Sequence, residues 1–163
     1  MKTLMVLRHA KSSWDHPDLG DFDRPLNSRG RKNAPLVGRE MRARGYHPEI
    51  VVASPAARAK ATAELVLDAS GFDADLSFEP RIYEASLSSL LYLVSGFDDV
   101  YQSILIVGHN PGFEGLVAAL SGEYRRMATA ALAVIDLEVE YWNDADQGCG
   151  VLRDHILPRA LDV

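Results

Sequence analysis

The chain has 163 residues, of which 47% are hydrophobic and 25% are charged, and its formal net charge is −6 at pH 7. This length and composition predict one globular domain over residues 1–163 and argue against a disordered chain. The negative net charge argues against a general nucleic-acid-binding protein, since such proteins present a basic face to phosphates.

The compartment is predicted from the cysteine and from the apolar runs. Cys149 is the only cysteine, so an intramolecular disulfide and a cysteine-rich zinc site are excluded. Arg8 interrupts the first apolar run before it could form a signal-peptide core, and no later run is long enough to span a bilayer. We therefore expect a cytoplasmic protein with no membrane partner and no nucleic-acid partner.

Short apolar runs alternate with helical stretches along the chain, which is the pattern of a mainly parallel sheet flanked by helices. The predicted strands are residues 3–7, 50–53, 76–78 and 103–107, and the predicted helices are 33–44, 55–69, 87–95 and 111–120. We expect an α/β fold, a three-layer sandwich whose mainly parallel central sheet has helices on both faces.

Two parts of this pattern need a specific interpretation. Pro35 should lie in a first helical turn, so the first helix is predicted to begin near residue 33, unless residues 26–28 start an earlier turn that Pro35 kinks. Residues 130–142 alternate in polarity and residues 150–156 can return as a hairpin partner, which predicts an antiparallel edge of the sheet.

Basic or imidazole side chains follow the three strongest strands. Arg8 and His9 follow the first, the segment SPAAR ending in Arg58 follows the second, and GHNP containing His109 follows the fourth. Ligands of open α/β sheets bind at the carboxyl edge, so these segments are expected to converge there. Ser54 and Asn110 are predicted to cap two helices whose positive N-termini face the same edge.

This combination of residues suits phosphoryl chemistry. The arginines Arg8 and Arg58 can clamp phosphate oxygens with their planar forks. One of the histidines His9 and His109 can attack phosphorus while the other donates a hydrogen bond. Each residue taken alone fits an ordinary polar rim or cap, and the pattern does not choose the nucleophile.

The chain resembles the histidine phosphatase superfamily, which has a phosphoglycerate mutase-like fold, and its SixA-type phosphohistidine phosphatase branch. The resemblance rests on five blocks in family order: LRHAKSSW, DFDRPLNSRGRKNA, ASPAARAKATAE, IYEAS and VGHNPGFE. It implies that His9 is the nucleophile and that Arg8, Arg58 and His109 complete the phosphate pocket. It also implies that neither a metal nor a cofactor is needed, and it makes Glu84 the best candidate for the proton donor, although Glu84 fits a solvent-facing helix start equally well.

For other polar residues the sequence does not decide between a functional role and a structural or solvent-exposed one. Asp21, Asp23 and Arg24 either flank the mouth of the site or are solvated. The basic run SRGRKNAPLVGREMRARG either docks an acidic or phosphorylated protein or forms a solvated helix face. The remaining histidines, His16, His47 and His155, are predicted to be structural or exposed.

The leading functional hypothesis is therefore a phosphohistidine phosphatase whose partner is a phosphorylated protein or a small phosphorylated molecule. A small-molecule phosphomonoesterase of the same fold is the closest alternative. A phosphoglycerate mutase is disfavoured, since no additional segment is available to retain and grip its substrate. The alternative from another class is a non-catalytic module that binds phosphate or a phosphoprotein, and His9 argues against it because arginines alone could bind the anion.

Overall fold

The computed structural model describes residues 1–161 and contains one six-stranded sheet. The strands are β1 (Lys2–Arg8), β2 (Ile50–Ala53), β3 (Asp75–Phe78), β4 (Ser103–Gly108), β5 (Leu132–Leu137) and β6 (Gly150–Ile156). Their order is β3-β2-β4-β1-β5-β6, in which the first four strands are parallel and β5 is antiparallel to both β1 and β6. The expected parallel sheet with an antiparallel edge is thus confirmed.

Four helices cover the two faces of the sheet: α1 (Ser28–Arg44), α2 (Ala57–Ser70), α3 (Leu87–Ser95) and α4 (Gly112–Ser121). Alternate residues of β1 point to opposite faces, so Met5 and Leu7 pack with α1 and α2 while Leu4 and Val6 pack with α3 and α4. The predicted three-layer α/β sandwich is therefore confirmed. In residues 1–161 no helix is both long and apolar enough to cross a membrane.

The first helix does not begin near residue 33, and the alternative start at residues 26–28 is confirmed. Helix α1 begins at Ser28, because the side chain of Asn27 accepts a hydrogen bond from the Gly30 amide at 2.9 Å and caps it. Pro35 lies inside the helix and removes the amide that would bond the Arg31 carbonyl. Packing on α2 compensates for this loss, and a Cβ at Gly38 would come within 2.5 Å of the Val66 carbonyl oxygen.

The antiparallel edge is also shorter than predicted. Strand β5 covers only Leu132–Leu137, and the chain then leaves the sheet for a 3-10 helix at Trp142–Asp144. The alternation that suggested a longer strand ends because the indole of Trp142 is fully buried and donates to the Tyr101 carbonyl at 2.8 Å. Strand β6 has the predicted bounds.

Candidate active site

The carboxyl ends of β1, β2 and β4 meet at one cavity of about 290 Å³. Backbone hydrogen bonds join the three junctions: the His9 amide donates to the Gly108 carbonyl and the Ser54 amide to the Val107 carbonyl, each at 2.9 Å. The cavity is lined by Arg8, His9, Lys11, Ser12, Trp14, Arg24, Arg58, His109, Asn110 and Thr129. Four of the five predicted site residues are therefore brought together.

His9 is buried, with 6% of its surface exposed, and its tautomer is fixed by the backbone. Its Nδ1 lies 2.7 Å from the Ala10 carbonyl oxygen, which can only accept, so Nδ1 must carry the proton. The pKa of His9 is lowered to about 3, chiefly by burial and also by the nearby His109, Arg58 and Arg8, while the Ala10 hydrogen bond opposes this shift. A neutral imidazole with its lone pair on Nε2 results, and such a nitrogen can act as a nucleophile.

His109 lies beside His9, with 5.2 Å between the ring centroids. Its Nε2 is 2.8 Å from Ser54 Oγ, and that oxygen also accepts from the Ala56 amide at 3.2 Å. The Ser54 hydroxyl can donate its proton to Nε2, and in that tautomer of His109 the Nδ1–H is a donor. Burial, followed by the Arg58 charge, lowers the pKa of His109 to about 4.

Arg58 is buried and is held by Asp21 in the loop that follows β1. Its Nη1 donates to the Asp21 carbonyl at 2.7 Å and its Nη2 to Asp21 Oδ2 at 3.0 Å. The hydroxyl of Tyr83 donates to the same carboxylate oxygen at 2.6 Å. The Tyr83 bond, then Arg58 and Arg24, lower the pKa of Asp21 to about 2, while the carboxylate raises that of Tyr83 to about 12.

Arg8 is held by the segment before β5. Its Nη1 donates to the Met127 carbonyl at 3.0 Å, and the Asn110 side-chain amide donates to the same oxygen at 2.8 Å. The Met127 amide donates to Glu114 Oε2 at 2.8 Å, so this segment is tied to α4. Both arginines are consequently preorganised by protein contacts.

The loop after β1 supplies the mouth of the cavity. Arg24 is buried, donates to Ser12 Oγ at 2.6 Å and bonds the Asp21 carboxylate, while its guanidinium carbon lies 3.6 Å from the ring centre of Trp14. Trp14 is itself 73% exposed. Of the residues left open from the sequence, Asp21 and Arg24 belong to the site, whereas Asp23 is exposed and does not line the cavity.

Unpartnered buried polar atoms concentrate in this cavity. Of five such side-chain atoms in the described chain, four belong to lining residues: Arg8 Nε, Arg58 Nε, His109 Nδ1 and Asn110 Oδ1. Two of these are guanidinium donors and His109 Nδ1 can be a third. Buried donors without partners are costly, and the oxygens of a phosphoryl group would satisfy them.

Glu84 lies outside the cavity lining. It is exposed, has a positive φ of 56°, and lines a neighbouring surface depression with Arg81 and Ser88. Tyr83, the residue before it, connects the two regions because its ring is 5.4 Å from that of His109. Within residues 1–161, no group of three or more His, Cys, Asp and Glu side chains could hold a metal ion.

The predicted helix caps were wrong, and the true roles of these residues were missed. Helix α2 follows Ala56 and α4 follows Pro111, neither with a side-chain cap. Ser54 instead positions His109, and Asn110 bonds Met127. Thr62 was also missed: its hydroxyl accepts from the Ala10 amide at 2.9 Å, next to the nucleophile candidate.

Both cavity histidines are expected to remain neutral from about pH 5 to pH 8. Burial opposes protonation of His9 and His109, so their ring nitrogen NMR signals should not shift over this range in the folded protein. In urea-unfolded protein they should titrate near about 6.5. Because the unfolded chain then binds more protons, stability should fall as the pH is lowered from about 6.5 toward the folded-state values. A folded-state titration near the unfolded value would contradict the burial argument.

A sequence model of the histidine phosphatase superfamily, branch 1, matches residues 4–91. An uncharacterized protein of Mycobacterium tuberculosis is 32% identical over 165 residues, which cover 94% of this chain and 100% of that protein.

Solved structures extend the similarity to the whole sandwich. A protein provisionally assigned as the phosphohistidine phosphatase SixA of Agrobacterium tumefaciens superposes with a TM-score of 0.83 at 29% identity, covering 96% of this chain and 98% of that chain. The protein histidine phosphatase SixA complexed with tungstate gives 0.84 at 24% identity, covering 98% and 99%, which bears on the fold alone. The expected phosphoglycerate mutase-like fold is confirmed by these matches.

Proposed function

The chain belongs to the histidine phosphatase superfamily, and we propose that it is a metal-independent phosphatase that hydrolyses phosphohistidine in proteins through a phosphorylated His9. Membership of the superfamily and the similarity to phosphatase structures support the phosphatase activity itself. The proposal places the reaction in the cytoplasm, in keeping with the single cysteine.

The neutral imidazole of His9 is the observation that supports this function most directly. A carbonyl oxygen holds its Nδ1 proton, the His109 ring lies 5.2 Å from the His9 ring between centroids, and the charge of Arg58 acts on the same imidazole. A binding module would not need a buried neutral nitrogen among cations, because arginines alone bind phosphate. The arrangement favours attack on phosphorus over simple retention of the anion.

The proposed reaction has two half-reactions. In the first, His9 Nε2 forms a bond to phosphorus as the bond from phosphorus to the substrate nitrogen breaks, and the substrate imidazole leaves neutral, with a proton on its other ring nitrogen. In the second, water attacks phosphorus, the bond to Nε2 breaks, and the water proton passes to the phosphate product or to solvent. The proton on His9 Nδ1 stays in place throughout, held by the Ala10 carbonyl, so His9 also leaves neutral.

The other predicted residues are proposed to stabilise the transferring group. Arg8 and Arg58 would each donate to equatorial oxygens, and His109 Nδ1–H would supply a further donor. Because the walls hold these donors before substrate binds, little reorganisation is required as charge develops in the transition state.

No carboxylate lines the described part of the cavity, and that of Asp21 is bound by Arg58, Arg24 and Tyr83, an arrangement that favours phosphohistidine over alkyl esters. An alkoxide leaving group needs a proton from a nearby acid, whereas a protonated phosphoimidazole leaves as a neutral ring. The open mouth beside Trp14, with 73% of that residue exposed, also suits a side chain on a protein surface. Glu84, just outside the lining, is proposed as the proton donor for those esters that are hydrolysed.

One kinetic experiment tests both the substrate and Glu84. We expect kcat/KM for a phosphohistidine peptide to exceed that for a panel of alkyl and sugar phosphates by about a hundredfold or more, since alkoxide departure needs acid assistance. Glu84→Gln should lower turnover of the esters by about a hundredfold and change that of the peptide by less than about threefold. The exposed Glu64→Gln variant is the matched control and should match the wild-type protein.

Esters that consistently react faster than the peptide by orders of magnitude would overturn the phosphohistidine assignment and leave a small-molecule phosphomonoesterase. Equal losses on both substrates in Glu84→Gln would contradict a proton-donor role for that residue.

A further inference from the structure

A second cavity of about 270 Å³ lies next to the active site and is strongly basic. Three arginines from separate parts of the chain line it: Arg29 in α1, Arg126 before β5, and Arg159 in the 3-10 helix Pro158–Ala160. All three are exposed, and within the described chain none has an ion pair and no carboxylate lines the cavity. We call this site the arginine cavity. Its charge is local, because the whole chain carries −6.

The arginine cavity shares a wall with the active site. Thr129 lines both cavities. The segment that separates them is fixed, because the Met127 carbonyl accepts from Arg8 and the Ala130 amide donates to the carbonyls of Arg8 and His9. A ligand that places a phosphoryl group at His9 can therefore extend across Thr129 into the arginine cavity.

We propose that the arginine cavity binds carboxylate side chains of an acidic segment in the phosphorylated protein whose phosphohistidine is hydrolysed at His9. This inference rests on the proposed function and adds the recognition of residues around the phosphorylated histidine. Guanidinium groups match carboxylates in a planar, paired geometry. Within the basic run SRGRKNAPLVGREMRARG of α1, the part that would contact the acidic segment is its first turns, since Arg29 and Asn33 lie one turn apart and both line the cavity.

The remaining lining favours a polypeptide over a small dianion. Nε2 of His155 is buried without a partner in the described chain. Burial lowers the pKa of His155, which favours the neutral ring, and a peptide group can supply the hydrogen-bond partner that Nε2 lacks. Ala128, Leu157 and Pro158 add apolar surface that fits the stems of side chains and not a bare phosphate.

The test uses a charge-removing variant with a matched control. Arg29→Gln/Arg159→Gln removes two cations from the arginine cavity without touching the residues proposed for phosphoryl transfer. Arg39→Gln/Lys60→Gln removes the same charge from exposed positions elsewhere on α1 and α2. The substrates are a short phosphohistidine peptide flanked by glutamates, its twin with glutamines, and an aryl phosphate that occupies only the active site.

We expect the cavity variant to lower kcat/KM for the glutamate peptide by about tenfold, mainly through KM, since each partly exposed ion pair contributes a factor of roughly three. The glutamine peptide and the aryl phosphate should be unaffected, and the control variant should match the wild-type protein on all three substrates. Equal hydrolysis of the two peptides by the wild-type protein, or an equal loss on every substrate, would overturn the proposal.

A binding measurement separates failure of this inference from failure of the proposed function. Fluorescently labelled, unphosphorylated versions of the two peptides are titrated with wild-type protein and with both variants. Tighter binding of the glutamate peptide, lost only in the cavity variant, supports the arginine cavity even if neither phosphohistidine peptide is hydrolysed. Displacement of that peptide by glutarate at the same carboxylate concentration would instead indicate a small-molecule anion site and overturn the inference.

Discussion

Replacing His9 with alanine is expected to reduce turnover of phosphohistidine peptides and aryl phosphates by about 10⁴ to 10⁶-fold, because the substitution removes the side chain that attacks phosphorus in both substrates. The other imidazole that lines the cavity, His109, cannot take its place, because its Nε2 is hydrogen-bonded with Ser54 Oγ at 2.8 Å. Rapid-quench kinetics would measure the remaining rate. His16→Ala, at an exposed loop position, is the matched control and should retain full activity.

Mapping the phosphoenzyme completes this test. Alkaline quenching followed by mass spectrometry should place the phosphoryl group on His9 Nε2 in the wild-type protein and detect none in His9→Ala. Added imidazole should restore part of the turnover by taking over the attack on phosphorus. Activity of the alanine variant within about tenfold of the wild-type protein, or a phosphoryl group on His109, would reject His9 as the nucleophile.

The comparison with His109 explains why the structure favours His9 although the sequence could not choose. A carbonyl that only accepts fixes the proton on His9 Nδ1 and frees Nε2. The Nε2 of His109 is instead engaged by Ser54, and its Nδ1 is among the buried donors that a phosphoryl oxygen would satisfy. The two rings are similar in sequence context and differ in their hydrogen-bond partners.

The sheet was predictable because its central strands are buried on both faces and are therefore continuous apolar runs, as in residues 103–107. The sequence left two starts open for α1, near residue 33 and at residues 26–28, since the penalty of Pro35 is local while the packing of Gly38 on α2 that offsets it is a tertiary contact. The length of β5 likewise depended on where Trp142 found its partner at Tyr101. Errors occurred where distant contacts override local preference.

The difference between local sequence signals and distant contacts also explains which features of the site were predictable. Arg8, His9, Arg58 and His109 could be proposed from sequence because each follows a strand, and parallel strands end at one edge. The bonds that orient them come from distant segments: Asp21 and Tyr83 at Arg58, Ser54 at His109 and Met127 at Arg8. Ser54 even fits a cap by local rules, and only the fold brings it to the imidazole.

Arg58→Lys is expected to lower kcat by about 10³-fold although it keeps the positive charge. Arg58 has five N–H groups, of which one on Nη1 and one on Nη2 bond Asp21, so three remain for phosphoryl oxygens, including the unpartnered Nε–H. A lysine ammonium has three N–H groups at one point and cannot hold Asp21 and a phosphoryl group in the same geometry. The loss should appear chiefly in kcat, since the charge on the oxygens is redistributed in the transition state.

The Asp21→Asn variant tests the orientation of the Arg58 guanidinium separately from its charge. This variant keeps Arg58 but removes the carboxylate that fixes it, and we expect a loss of about tenfold, as for partners that orient a functional group. Arg42→Lys, which alters an arginine that bonds the Ser70 carbonyl away from the cavity, is the matched control and should be fully active. Thermal unfolding of all three variants would verify that they fold.

Activity of Arg58→Lys within about tenfold of the wild-type protein would show that a positive charge suffices and that the fork held by Asp21 is not required for phosphoryl transfer.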